Sequence, residues 1–134
     1  MSSRIAWSDS FLRRSLLVDA IASGSMGLAL AGANGPISVL LGLPAPVLFW
    51  VGLFLVGYAG FLIWLARRPM IPRSLVVAVV GGNLLWVAGS LALPLVGLVD
   101  LTRLGVAVVL GQAAAVAGFA AMEYGGLRQL QPAQ

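Results

Sequence analysis

Apolar residues run along this chain in four long blocks, separated by short stretches where proline, glycine and arginine gather. A helix needs about 17–25 mostly apolar residues to cross a hydrocarbon core of about 30 Å. Four stretches meet that requirement: Leu16 to Ala33, Val47 to Ala66, Ser74 to Leu93 and Leu104 to Tyr124. Each is bounded by residues that break or cap helices, namely Gly35-Pro36, Pro44 and Pro46, Pro69 and Pro72, Pro94, and Gly125-Gly126. The third block allows continuation past a kink at Pro94. Thr102 stands where the fourth helix needs an N-cap, with Asp100 near its positive dipole end. The pattern predicts an all-α integral membrane four-helix bundle, with residues 1–134 forming a single four-transmembrane-helix domain.

Two shorter segments fit no span. Pro36 to Leu43 is apolar but too short to cross, and is expected to lie along the outer interface as a short helix. The alternative is a hydrophobic extension of the second span. Upstream, Ile5, Trp7, Phe11 and Leu12 read as an amphipathic segment on the inner surface.

Composition agrees with lipid as the main solvent. Sixty per cent of the residues are hydrophobic and 9% charged, with a mean hydropathy of +1.03, whereas a soluble domain carries about 25% charged residues. Cysteine and histidine are both absent. That removes thiol nucleophiles, disulfides, the commonest metal ligands and the commonest general base, so no metal site and no cofactor is expected. Disulfide-forming and quinone-reducing four-helix chemistry is excluded with the cysteines. An enzyme would have to use Asp19 and Glu123 as an acid/base pair, and nothing in their spacing demands it.

The net charge of +4 sets topology rather than a nucleic-acid partner. Arg4, Arg13 and Arg14 precede the first span, Arg67, Arg68 and Arg73 fill the loop after the second, and Arg128 follows the fourth. Arg103 alone falls on the other side, so the positive-inside rule places both termini in the cytoplasm. Abundant Ala, Gly, Leu, Val and Arg without any Lys is what a GC-rich genome encodes, which points to a bacterial inner membrane. Arg13-Arg14-Ser15-Leu16-Leu17 loosely matches a twin-arginine signal, but Asp19 interrupts the apolar run that such a signal needs.

Polar residues at membrane depth carry the remaining information, because each is costly unless it faces another helix or water. Ser15, Asp19, Ser23 and Gly27 form one stripe of span one. Asn83, Trp86 and Ser90 form another on span three, and Gln112 and Glu123 share a face of span four. Span two presents Phe54, Tyr58, Phe61 and Leu65. At about 1.5 Å per residue, Ser23, Tyr58, Asn83 and Gln112 fall about 10–18 Å from the arginine-rich boundary. These four, with Trp86, are candidate ligand-binding residues. Asp19 and Glu123 are expected nearer the edge, as an ion-pair or proton site within reach of Arg14, Arg67 and Arg68. The structural alternative is that the amides and hydroxyls only join helices, at on the order of 1 kcal/mol per bond. Rows of small residues (Ser23/Gly27/Ala31, Ala78/Gly82, Ala107/Gly111/Ala115 and Ala114/Gly118) would let backbones approach, within the bundle or between copies.

A wider pattern emerges from these residues. Arg14 with Asp19-Ala20 and Ser23-Gly24, Trp64-Leu65-Ala66-Arg67-Arg68-Pro69, Gly82-Asn83 with Trp86, Gln112, and Tyr124 with Gly126-Leu127-Arg128 together resemble a group of small four-span integral membrane proteins of proteobacteria. The resemblance spans nearly the whole chain. It implies the same four-span fold and no particular activity. The expected function is therefore a non-enzymatic accessory or oligomeric membrane component that binds a lipid or quinone-like amphiphile. The alternative is a small transporter or channel using the polar layer. The lipid bilayer and a second copy or larger membrane complex are the expected partners, and nucleic acid is not.

Overall fold

The computed structural model describes residues 2–130, with side chains from residue 10 onward. It contains five helices: α1 Ser2–Gly32, α2 Asn34–Leu41, α3 Ala45–Ala66, α4 Arg73–Val96 and α5 Arg103–Gln129. Among the described residues, four stretches are long and apolar enough to cross a membrane: Ser10–Gly32, Ala45–Ala66, Arg73–Val96 and Arg103–Gln129. The chain is a multi-pass, all-α bundle.

The predicted punctuation works at most boundaries. Pro44 stands at the N-cap of α3 in an extended conformation, with Pro46 inside its first turn, where a missing N–H costs nothing. Thr102 caps α5 as expected, its hydroxyl accepting from the Gly105 N–H at 2.9 Å. Gly42 and Gly97 end α2 and α4 in the left-handed conformation. Pro94 lies inside α4, which continues to Val96.

Two boundaries differ from expectation, and both lengthen a helix at the arginine-rich end. Gly125-Gly126 does not stop α5, which runs on to Gln129. A Cβ at Gly126 would lie 3.0 Å from Leu12, so this glycine is there to admit α1 rather than to end α5. Likewise α1 is helical from Ser2, and Leu12 and Leu16 are wholly buried in the core. The segment around Leu12 therefore does not lie on a membrane surface; Ile5 and Trp7 fall outside the described side chains.

Helix α1 packs against α3 and α5, and α5 packs in turn against α4. Helices α3 and α4, although consecutive, have few close backbone approaches and meet mainly through side chains, Tyr58 with Asn83 and Phe54 with Trp86. Helices α1 and α3 cross closely. There a Cβ on Gly27 would sit 2.7 Å from the Gly52 carbonyl oxygen, and one on Gly52 would sit 2.5 Å from the Ala31 nitrogen. The Ser23/Gly27/Ala31 row thus seats α3. Gly82, Gly111 and Gly118 have open space where a side chain would be; Gly111 and Gly118 face outward, whereas Gly82 lines the cavity described below.

The core has two parts. At the arginine-rich end, Leu12, Leu16, Leu62, Leu65, Val76 and Leu127 are among the residues of a dense cluster drawn from all four long helices. A smaller cluster of Leu30, Leu48 and Leu55 lies towards the other end, with Ile37 of α2 against it. The short α2 that was expected between the first two spans is present and is stapled to α5. The Thr102 hydroxyl donates to the Leu40 carbonyl at 2.6 Å, and the Thr102 N–H donates to Leu41 at 3.1 Å.

Candidate ligand-binding site

Four helices bring one polar group each to a common point. Asn83 of α4 sits at the centre, 5% exposed. Its Nδ2 donates to Asp19 Oδ2 of α1 at 3.1 Å and to Glu123 Oε1 of α5 at 2.7 Å. Its Oδ1 accepts from the Tyr58 hydroxyl of α3 at 2.8 Å. The amide nitrogen thus faces the two acids and its oxygen faces the Tyr58 hydroxyl. The Ser23 hydroxyl, one turn beyond Asp19, donates to Asp19 Oδ1 at 3.0 Å. Glu123 is fully buried, and its second oxygen, Oε2, has no hydrogen-bond partner.

This arrangement corrects the expected role of Asp19. Its partners are Ser23 and Asn83, and among the described residues no arginine–carboxylate ion pair forms at this level. Extra helical turns on α1 and α5 explain the difference. Measured from the arginine-end termini of the candidate spans, Asp19, Tyr58, Asn83 and Glu123 lie roughly 9–15 Å deep. The arginines lie beyond the packed leucine layer. Arg14 and Arg67 are exposed, and Arg68 lies over the Trp64 ring at 4.9 Å. Arg13, which the sequence did not single out, donates to the carbonyls of Ala66, Arg68 and Pro69 at 2.5, 2.6 and 3.1 Å. It thereby serves the carbonyls left open at the C-terminal end of α3.

Gln112 belongs to a second network. Its Oε1 accepts from Trp86 Nε1 at 2.8 Å, while its Nε2 donates to Ser90 Oγ at 2.9 Å and to the Val109 carbonyl at 2.8 Å. Eleven residues separate Gln112 from Glu123, which is about 16 Å along α5. Gln112 is therefore not level with Asn83, and the single polar layer expected from the sequence resolves into two. Ser90 completes the second network; its place on the Asn83/Trp86 stripe was the available signal.

A cavity of about 720 Å³ connects the two networks. Asp19, Ser23, Tyr58 and Asn83 form its floor, Trp86 and Gln112 part of its wall, and Leu30, Leu41 and Leu43 its far end near α2. Phe54 spans the gap between α3 and α4, its ring nearly parallel to Tyr58 and Trp86 at centroid distances of 6.2 and 6.5 Å. The cavity is not sealed from the bilayer: the lining residues Phe54 and Leu85 are 60% and 75% exposed. It extends away from the arginine-rich end. The arginine-rich half beside Glu123 is closed, because Leu12, Leu16, Leu62, Leu65 and Val76 fill it.

Fold and site together define a multi-pass membrane bundle with a polar-floored cavity between helices. Compared with known proteins, the chain matches no family model, no curated protein and no solved structure.

Proposed function

We propose that this chain is a non-enzymatic component of a bacterial inner membrane that holds the head of an amphiphile, lipid or quinone-like, between α3 and α4. The observation that carries the reading is the cavity of about 720 Å³, with an apolar wall and hydrogen-bonding groups confined to its floor and one flank. Ligand sites of this kind are concave, mostly apolar and fixed by a few placed polar groups. Simple helix glue would leave no such volume beside Asn83. Clustering of Arg13, Arg14, Arg67, Arg68, Arg73 and Arg128 at one end, with Arg103 at the other, supports cytoplasmic termini. The outward-facing Gly111 and Gly118 suit contact with a second copy or a larger membrane complex.

The small-transporter reading is favoured by one observation, the two carboxyl groups at the cavity floor. Against it, the dense leucine layer closes the path to the arginine-rich end. Substituting Leu for Asn83 tests the binding reading. Loss of a co-purifying amphiphile, measured by mass spectrometry of solvent extracts, with a folded bundle retained, is the expected result. A lower melting temperature with unchanged bound lipid refutes it. Solute flux in proteoliposomes would replace binding with transport.

A further inference from the structure

The hydrogen-bond donors around the cavity are nearly all engaged within the protein. Ser23 donates to Asp19, and Tyr58 donates to Asn83. Asn83 gives its two amide hydrogens to Asp19 and Glu123, and Gln112 gives its two to Ser90 and Val109. Trp86 donates its one to Gln112. The Ser90 hydroxyl hydrogen is the exception among the lining side chains. What remains facing the cavity is acceptor capacity: the lone pairs of Asp19, Ser23 and Tyr58. No arginine lines the cavity.

This asymmetry selects among heads. A quinone presents carbonyl acceptors and finds almost no donor. A phosphate finds no cation and only the Ser90 hydroxyl as donor. A protonated amine brings three donors and a positive charge to a carboxylate that has no cationic partner, and buried carboxylates are stable when paired. The ring faces of Phe54, Tyr58 and Trp86 flank the same volume, and aromatic faces attract cations.

We propose that the cavity is a site for a lipophilic primary amine, its ammonium group on Asp19 and its chain along the apolar wall between α3 and α4. The inference rests on the amphiphile-binding reading above and names its ligand class. The ammonium replaces the Ser23 hydroxyl as donor to Asp19 Oδ1, and the freed hydroxyl turns to accept from it. The same head chemistry occurs in a free alkylamine and in an aminophospholipid. The lack of any cationic partner for a phosphate favours the free amine.

The test uses the full chain in an uncharged glycoside detergent, titrated in parallel with dodecylammonium, lysophosphatidylethanolamine and an uncharged decyl quinone, and read by native mass spectrometry and calorimetry. Dodecylammonium is expected to bind one-to-one, and roughly tenfold or more weaker to Asp19→Asn, a change of about 1.4 kcal/mol or more. Asp19→Glu, which keeps the charge, is expected to restore most of that binding, and circular dichroism showing the parent's helix content in Asp19→Asn guards against a fold defect at this site. Tighter binding of lysophosphatidylethanolamine upholds the ammonium chemistry and assigns it to a phospholipid. Binding of the quinone alone overturns the amine assignment and leaves the amphiphile cavity standing. Amine binding indifferent to Asp19→Asn also overturns the assignment. Binding of none of the three sinks both readings.

Discussion

Asn83 and Glu123 meet through a 2.7 Å hydrogen bond at the centre of the bundle, and this one amide also holds Asp19. Two acids on two different helices thus share a donor on a third. Replacing Asn83 by Leu removes that donor and also the acceptor for Tyr58. Leaving buried polar groups unmet costs about 1–3 kcal/mol, so the variant is expected to melt markedly lower in detergent. Thermal unfolding followed by circular dichroism checks this; an unchanged melting temperature would mean the junction is not formed.

Arg13 and Arg14 are neighbours with opposite expected importance. Arg13 reaches three carbonyls, one at the end of α3 and two just past it, whereas Arg14 points outward and is exposed. Charge-assisted bonds contribute about 1.5–3 kcal/mol, so Arg13→Ala is expected to lower stability by about 2 kcal/mol. Arg14→Ala should leave the melting temperature where it was. Equal effects of the two would contradict the capping role.

The α1–α3 crossing tolerates no side chain at Gly27 or Gly52. Either glycine changed to Ala forces the backbones apart, at about 1–3 kcal/mol for overpacking. Gly111→Ala and Gly118→Ala meet open space and are expected to be neutral or mildly stabilising in the monomer, since Ala favours the helix. Melting curves of the four variants separate the two sets. If the outward pair instead abolishes an oligomer seen by native mass spectrometry, that face joins copies.

Topology has a direct check. Reporter fusions after Gln134 and within the Gly35 to Pro46 segment are expected to report opposite sides of the membrane, the first cytoplasmic. A periplasmic C-terminus would reverse the orientation.

Block length and punctuation made the spans legible, because a membrane imposes both on a sequence. The Thr102 cap, the short α2 and the interior position of Asn83 were readable for the same kind of local reason. Depth was not. Gly125-Gly126 looks like a stop signal, yet it is a contact with Leu12, and no local rule distinguishes the two. Taking Tyr124 as the end of the span put Glu123 at the surface and Gln112 level with Asn83, and the true helix end moves both. The partner of Asp19 was assigned by charge when geometry favoured an amide. Phe54 was read as one of an aromatic face, but its position between Tyr58 and Trp86 depends on how far α3 and α4 separate, a distance that no single helix encodes.

The Thr102 staple has a consequence for how a ligand is counted. With α2 tied to the start of α5 at one end and leucines packed at the other, the remaining way in is sideways, through the gap between α3 and α4. A molecule entering that way arrives already dissolved in the bilayer. Occupancy then follows its mole fraction in the membrane rather than its aqueous concentration. Adding inert lipid at constant ligand should empty the site by dilution in two dimensions, although the volume of the sample has not changed.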